Sequence, residues 1–164
     1  MPWSSGVLRS VAVEHMNLLQ PATILDIGAG AGTWQTWWRF GRWTAVEVFE
    51  PYIARFGLAE RYAEIIVGDA TVCDLGGPYD IAILGDVIEH VTDPFALVQR
   101  ARQVARIVMV QAPVGYWPQG PEEGNPHECH LVTIEADQLR SWPGLDAMYV
   151  LDGIALAFYT GLLP

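Results

Sequence analysis

Three carboxylates lie at comparable places in the chain, each at or near the end of an apolar run. Asp26 lies in ILDIG, Glu47 ends WTAVE, and Asp69 follows EIIVG. An anion suits a ligand with an ammonium or sulfonium group, and an acid after a second strand suits the two hydroxyls of a ribose. Asp69 can accept from the exocyclic amine of adenine. Together they predict a site for a cationic nucleoside; the alternative is that they are helix N-caps or loop residues.

The glycines of residues 24–34 (ILDIGAGAGTW) predict a turn that approaches a ligand. Gly28, Gly30 and Gly32 follow an apolar run, and glycines let the backbone come close to a ligand and aim helix N–H groups at it. The nicotinamide and flavin fingerprint needs glycine where Thr33 stands, and the phosphate-binding loop needs a lysine that is absent. A pyrophosphate ligand is therefore disfavoured.

Three histidines are candidates for a general base, because imidazole titrates near neutral pH. His90 follows the fourth apolar run, whereas His127 and His130 lie in a later loop. For His90 the alternative is a structural role, in which the Glu89–His90 pair ties its loop together.

The segment HECH at residues 127–130 also raises the question of a metal. Three ligands within four residues cannot easily face one ion, and the spacing matches no standard zinc pattern. We therefore expect no metal site.

Apolar runs alternate with helical patterns along most of the chain. Near-continuous Val/Ile/Leu runs end close to residues 27, 47, 67, 85 and 112, with helical spacing between most of them. This alternation predicts an α/β fold, a doubly wound and mostly parallel sheet covered on both faces. Two last runs that meet at Asp152 and Gly153 predict a C-terminal antiparallel hairpin.

Length and composition limit the chain to one domain. It has 164 residues, 51% of them hydrophobic, which suffices for one core and not for two. We interpret residues 1–164 as a single domain, with a leading helix in residues 1–20 and an active-site loop at residues 113–130. That loop is long, rich in Gly and Pro and without periodicity. Its Tyr116 and Trp117 are candidates for stacking on a substrate ring.

Local signals predict where three of the helices begin. Two serines, Ser4 and Ser5, offer an N-cap to the leading helix, and Asp93 precedes a proline at the start of another. Residues 51–62 predict a helix that opens on a proline.

The charge balance disfavours nucleic acid as a partner. The chain has 19 acidic and nine basic side chains and a formal charge of -10, which repels phosphate backbones. The closest basic grouping, Arg100, Arg102 and Arg106, is interpreted as the solvated face of one helix. Two cysteines are too few for a disulfide framework and predict a reduced, cytoplasmic setting. No apolar run is long enough to span a membrane.

Four segments together resemble the class I S-adenosylmethionine (SAM)-dependent methyltransferases. They are ILDIGAGAGTW, AVEVFEPY, IIVGDA and YDIAILGDVIEHVTDP. The VIEHV segment is similar to the branch that contains the ubiquinone-biosynthesis O-methyltransferases and many small-molecule methyltransferases. The resemblance implies a Rossmann-like seven-stranded sheet in the order 3-2-1-4-5-7-6, with the last strand antiparallel.

The resemblance also implies a role for individual residues. The glycine motif would hold the methionine part of the cofactor, Glu47 the ribose, the residues around Asp69 the adenine, and the end of strand four would lie beneath the sulfonium. The implied cofactor-binding residues are Asp26, Gly28, Ala29, Gly30, Gly32, Glu47, Val48, Asp69, Ala70, Gly85 and Asp86.

The sequence thus predicts a SAM-dependent methyltransferase that produces S-adenosylhomocysteine (SAH). A small-molecule acceptor is expected, methylated on oxygen, nitrogen or carbon, with His127, His130 or His90 as catalytic base. The chain has few segments to build an acceptor pocket, so a homodimer that completes the site is compatible with it. The alternatives are a non-catalytic SAM-binding protein and an NAD(P)-dependent oxidoreductase.

Overall fold

The sheet has seven strands in the order β3-β2-β1-β4-β5-β7-β6. The structure is a computed structural model that describes residues 2–163. Strands β1 to β5 are parallel, whereas β7 runs antiparallel to both β5 and β6. The strands are β1 (Thr23–Ile27), β2 (Arg42–Glu47), β3 (Glu64–Val67), β4 (Tyr79–Gly85), β5 (Ala105–Pro113), β6 (Leu145–Leu151) and β7 (Ile154–Thr160). The predicted fold class, strand order and terminal hairpin are confirmed.

Five α-helices and three short 3-10 turns connect the strands within the described residues. The helices are α1 (Arg9–Leu19), α2 (Thr33–Trp37), α3 (Pro51–Arg55), α4 (Pro94–Val104) and α5 (Ala136–Ser141). The 3-10 turns are Leu58–Glu60, Ile88–His90 and Pro126–Glu128. None of the helices within residues 2–163 has both the length and the hydrophobicity to cross a bilayer.

Each face of the sheet carries its own apolar core, because successive strand residues point to opposite sides. On one face, Leu25 and Ile27 of β1 lie in a cluster with Leu97 of α4 and Leu139 of α5. On the other face, Ile24 lies in a cluster with side chains of α1 and α2, including Met16, Trp34 and Trp38. The side on which a β1 residue points decides which core it joins.

Two predicted helix boundaries are wrong. The leading helix begins at Arg9, and no side chain caps it; Ser4 and Ser5 instead bond to the end of β4. The predicted helix over residues 51–62 ends at Arg55, and a 3-10 turn follows Gly57, which has a φ of 59°. A glycine in the left-handed region ends a helix readily.

The start of α4 follows its sequence signal. The Asp93 carboxylate accepts from the N–H of Ala96 at 3.0 Å, and Pro94 opens the helix. The three arginines do not form one solvated helix face. Arg102 is buried and donates to the carbonyl of Thr160 at 2.8 Å, and Arg106 belongs to β5. Arg102 ties helix α4 to the end of β7.

Candidate active site

A cleft of about 860 Å³ opens at the carboxyl ends of the parallel strands. Its polar walls come from the turn after β1, the end of β2, the segment after β3, the end of β4, residues 2–4 and the loop after β5. Predicted residues that line it are Gly28, Ala29, Gly30, Glu47, Val48, Asp69, Ala70, Gly85, Asp86, His90 and His127. This edge is where open α/β sheets bind their ligands.

The turn after β1 brings its backbone against neighbouring segments, which side chains at two positions would prevent. Gly28 and Gly30 have φ values of 70° and 51°, in the left-handed region that favours glycine. A Cβ on Gly28 would lie 2.5 Å from Cγ2 of Val87, and one on Gly30 would lie 2.6 Å from the carbonyl oxygen of Pro2. Both glycines therefore let the turn pack closely against Val87 and Pro2 at the wall of the cleft.

Glu47 is buried at the end of β2, and the backbone fixes its carboxylate. One oxygen accepts from the N–H of Gly30 at 2.8 Å and the other from the N–H of Phe49 at 2.8 Å. Burial raises the pKa of Glu47, and these backbone bonds oppose the rise. Since a carboxylate oxygen has a second acceptor site, Glu47 can still receive two hydroxyl donors from a ligand.

Asp69 and Asp86 are the other two predicted acids at the cleft. Asp69 lies at its exposed rim, and hydrogen bonds from the Thr71 hydroxyl and N–H hold its pKa below the usual value. Asp86 has a φ of 55° and accepts from the N–H of Ser5 at 3.0 Å and from Gln111 at 2.8 Å. Burial raises the pKa of Asp86 to about 6. The Ser5 contact ties the N-terminal segment to the cleft.

Asp26 does not point into the cleft, contrary to the sequence prediction. It lies on the opposite face of β1 from Ile27, which does line the cleft, as strand alternation requires. The Tyr62 hydroxyl donates to its Oδ2 at 2.6 Å, and Asp26 is 0% exposed. Burial, opposed by the Tyr62 hydrogen bond, raises the pKa of Asp26 to about 7. Asp26 therefore contacts Tyr62 on the far side of β1, behind the glycine turn, and does not face a ligand in the cleft.

Gly32 also lies outside the cleft lining. It precedes α2 with a φ of 70°, and its carbonyl accepts from the Arg61 guanidinium at 3.2 Å. Arg61 also donates to the carbonyl of Ala31 at 2.8 Å. The third glycine thus serves the entry to α2 and its contact with Arg61.

The three candidate histidines occupy different positions. His90 and His127 line the cleft, and His127 is exposed. His130 lies behind His90, with 4.8 Å between the two ring centroids, and belongs to the lining of a second, open pocket. Burial lowers the pKa of His90, which favours the neutral ring.

Several lining residues were not among the predicted site residues, although two of them, Asn125 and Glu128, lie in the predicted active-site loop. The loop after β5 contributes Asn125 and Glu128, and Tyr52 of α3 donates to Glu128 at 3.1 Å. From the N-terminal segment, Pro2 and Trp3 also line the cleft. Pro2 and Trp3 lie far along the chain from the strand ends, so no local pattern links these two residues to the site.

Tyr116 and Trp117 lie in the second pocket, together with His130 and Leu131. Tyr116 is 82% exposed, and the Trp117 indole donates to the carbonyl of Val114 at 3.1 Å. The two aromatic rings therefore face a pocket next to the cleft, separated from it by the histidine pair.

Charge distinguishes the cleft from a phosphate site. Four acids line it, Glu47, Asp69, Asp86 and Glu128, and no arginine does within residues 2–163. A bound cation or a neutral nucleoside suits this lining, whereas a pyrophosphate would meet four acids and no arginine. Fold and site together define a doubly wound α/β protein with an acidic, glycine-walled ligand cleft.

Comparison with protein families identifies the class more closely. The model of the family described as "Methyltransferase domain" matches residues 5–152. The chain belongs to this methyltransferase-domain family, which confirms the resemblance seen in the sequence. No curated protein matches the chain.

Solved structures share the fold at low sequence identity. The N-terminal domain of EvdMO1, determined in the presence of SAH and D-fucose, is 14% identical with a TM-score of 0.69, covering 96% of this chain and 84% of that one. PH0226 from Pyrococcus horikoshii OT3 is 16% identical with a TM-score of 0.68, covering 94% and 88%. The O-methyltransferase NcsB1 from neocarzinostatin biosynthesis, in complex with SAH and 1,4-dihydroxy-2-naphthoic acid, is 15% identical with a TM-score of 0.60, covering 94% and 57%.

Proposed function

We propose that the protein is a SAM-dependent methyltransferase that acts on a small-molecule acceptor. Membership of the methyltransferase-domain family supports the reaction. SAH in the EvdMO1 and NcsB1 structures, with a sugar and a naphthoic acid respectively, supports this cofactor and an acceptor of that size.

The observation that carries the proposal is the fixed carboxylate of Glu47 beside the Gly28–Gly30 turn. Two backbone N–H groups orient it, so its remaining acceptor sites face a ligand without further ordering. Such preorganisation lowers the entropic cost of binding a ribose. Asp69 and Ala70 would then hold the adenine, and Gly85 and Asp86, which line the same cleft, would hold the sulfonium end.

The chain contributes positioning and, for acceptors that must lose a proton, a base. When bound, SAM supplies an electrophilic methyl group, and transfer requires in-line approach of the acceptor. Ser4, Asp86 and the loop residues Asn125 and His127 border the cleft, where they can contact the cofactor or the acceptor. Both ring nitrogens of His90 face protein groups, the carbonyl of Cys129 and the carboxyl of Glu89. His127 is the exposed histidine at the cleft, and a neutral imidazole there can take the acceptor proton.

Two other functions remain as alternatives with different signatures. A non-catalytic SAM-binding protein would bind the cofactor and transfer methyl to no acceptor. An NAD(P)-dependent oxidoreductase would bind NAD, which the acidic lining opposes.

Titration calorimetry with SAM, SAH and NAD tests the proposal. We expect SAM and SAH to bind and NAD not to bind. Glu47→Gln keeps the shape of the side chain and removes the charged acceptor, so binding should weaken by roughly 10- to 100-fold, as for loss of a charged hydrogen bond. The matched control is Glu50→Gln, at an exposed acid three residues further on, which should leave the affinity unchanged.

Each contrary result has a definite meaning. NAD binding without SAM binding would favour the oxidoreductase, and equal loss in both variants would remove Glu47 from the site. Tight SAM binding without methyl transfer to phenols, sugars or amines would leave the binding protein as the answer.

A further inference from the structure

A buried side-chain cluster lies between the cleft and the second pocket. It consists of Glu89 and His90, in the 3-10 turn after β4, and His130, in the loop after β5. Glu89 Oε1 lies 3.9 Å from Nε2 of His90 and 4.0 Å from Nε2 of His130. The three ligand-type atoms all lie within 4.8 Å of one another. Neighbouring strand ends bring the cluster together, since β4 and β5 pair in parallel.

Hydrogen bonds on the far side of each ring fix which nitrogen carries the proton. Nδ1 of His90 faces the carbonyl of Cys129 at 3.0 Å, and Nδ1 of His130 faces the carbonyl of Trp117 at 2.5 Å. A carbonyl oxygen only accepts, so each Nδ1 must donate. In the neutral rings both Nε2 atoms then carry a lone pair, and both are directed toward the Glu89 carboxyl.

Three groups that carry lone pairs, the two Nε2 atoms and the Glu89 carboxylate, therefore face one another with no hydrogen-bond donor between them. The separations of 3.9 and 4.0 Å exceed a hydrogen bond, so no proton is shared directly across either. Glu89 is only 2% exposed, and its second oxygen, Oε2, has no hydrogen-bond partner among residues 2–163. Burial raises the pKa of Glu89 well above its usual value, so the acid holds a proton unless a cation takes its place.

A metal ion satisfies all three groups at once. Imidazole nitrogen and carboxylate oxygen bind first-row metals at roughly 2.0–2.2 Å, so two ligands of one ion lie about 3–4 Å apart. The separations of 3.9 and 4.0 Å from Glu89 lie at the upper end of that range, and a separation of up to 4.8 Å within the cluster has to shorten when an ion binds. Metal-bound histidines almost always donate their other ring N–H to a carbonyl or carboxylate, which both rings here do. Two imidazoles and one carboxylate suit zinc, iron or cobalt better than magnesium or calcium.

We propose that Glu89, His90 and His130 bind one divalent transition-metal ion. The site differs from the HECH interpretation of the sequence, since His130 joins Glu89 and His90 and not His127 and Cys129. Three protein ligands leave at least one coordination position for water or an acceptor oxygen. The ion would lie between the cofactor cleft, which His90 lines, and the open pocket, which His130 lines. The proposal concerns ion binding and does not depend on the proposed function.

Metal binding by the full chain is measured directly, without a methylation assay. The chain is stripped with a chelator, dialysed against Zn²⁺ and analysed for bound metal, and Co²⁺ is titrated while its visible absorption is recorded. We expect one ion per chain and a Co²⁺ spectrum typical of nitrogen and oxygen ligands. Glu89→Gln and His130→Asn should each lower the affinity at least 10-fold, as loss of a metal ligand or its orienting group does.

The control is His127→Gln, at an exposed histidine of the same loop, which should bind Co²⁺ like the wild type. Circular dichroism of each variant separates loss of a ligand from loss of the fold. Retention of full Co²⁺ affinity by a folded Glu89→Gln and His130→Asn overturns the proposal. Loss of binding in His127→Gln with retention in Glu89→Gln would instead assign the ion to the HECH segment.

Discussion

At the scale of single residues, Asp26 shows that a carboxylate next to the glycine turn can serve the fold and not the ligand site. Its carboxyl is held by the Tyr62 hydroxyl at 2.6 Å, on the face of β1 away from the cleft. A buried carboxyl whose pKa is about 7 is largely protonated in weakly acidic solution. Its protonation state therefore couples to the free energy of unfolding.

Asp26 should make the protein less stable as the pH rises from about 4 to about 7. Across this window the unfolded chain has lost the proton of Asp26, whose ordinary pKa is 3.8, while the folded chain still holds it. The integrated effect is on the order of 4 kcal/mol. Asp26→Asn cannot ionise and can still accept from Tyr62. We expect urea unfolding to show the variant gaining stability relative to wild type by this amount between pH 4 and pH 8.

The other buried acids titrate in both proteins, so their effects cancel in this difference. The control is Asp146→Asn, at an exposed position of β6, whose difference from wild type should hardly change with pH. If Asp26→Asn followed the wild type at both pH values, Asp26 would be ionised in the folded protein and the Tyr62 contact would be an ordinary charged hydrogen bond.

The sequence predicted which strand ends border the cleft better than it predicted the orientation of individual side chains. Glu47, Asp69 and the first two glycines lie at the cleft because they follow parallel strands, which the apolar runs reveal. Asp26 lies inside its strand, where a shift of one position changes the face. The metal-type cluster joins residues about 40 positions apart, which the pairing of β4 with β5 and the hydrogen bond from the Leu131 N–H to the Glu89 carbonyl bring together.

At the scale of elements, Gly85 positions the end of β4 against helix α2. A Cβ at this position would lie 1.7 Å from Nε1 of Trp34 and 2.8 Å from Oγ of Ser4. Trp34 is buried in the core on that side of the sheet and cannot move aside freely. The glycine thus lets strand, helix and N-terminal segment meet at one point.

Gly85→Ala should therefore destabilise the protein by overpacking, at a cost of about 1–3 kcal/mol or more. Urea unfolding followed by tryptophan fluorescence measures this cost. Gly120→Ala is the matched control, because a Cβ there has no heavy atom within 4 Å. Equal stability of the two variants would mean that Trp34 can move aside, and that the close approach at Gly85 is not required.

Helix boundaries show which element features a local pattern can predict. The Asp93 carboxylate caps α4 by accepting from the N–H of Ala96, only three residues further on, so the start of α4 was predictable from the local sequence. The serines before α1 bond instead to Gly85 and Asp86, about 80 positions away. These tertiary hydrogen bonds occupy the two serines, which the local sequence pattern would otherwise assign to the N-cap of α1.

At the scale of the whole molecule, topology and charge act together at one edge of the sheet. Strands β3, β2, β1 and β4 are parallel neighbours in the sheet, so their carboxyl ends lie beside one another and the acids Glu47, Asp69 and Asp86 gather in the cleft. The rest of the chain is also acidic, with a formal charge of -10. The overall field and the local field therefore have the same sign.

This charge predicts that nucleic acids will not bind. A labelled 20-nucleotide RNA and a DNA duplex of the same length should show no rise in fluorescence anisotropy with the protein at about 50 mM salt, where phosphate contacts are strongest. A SAH titration of the same sample serves as the control for a functional cleft. Binding that weakened steeply with added salt would contradict the prediction, because it would require a basic surface that the nine arginines do not form around the cleft. Without such binding, the acceptors that fit the charge are neutral or cationic small molecules, which approach an acidic cleft without electrostatic cost.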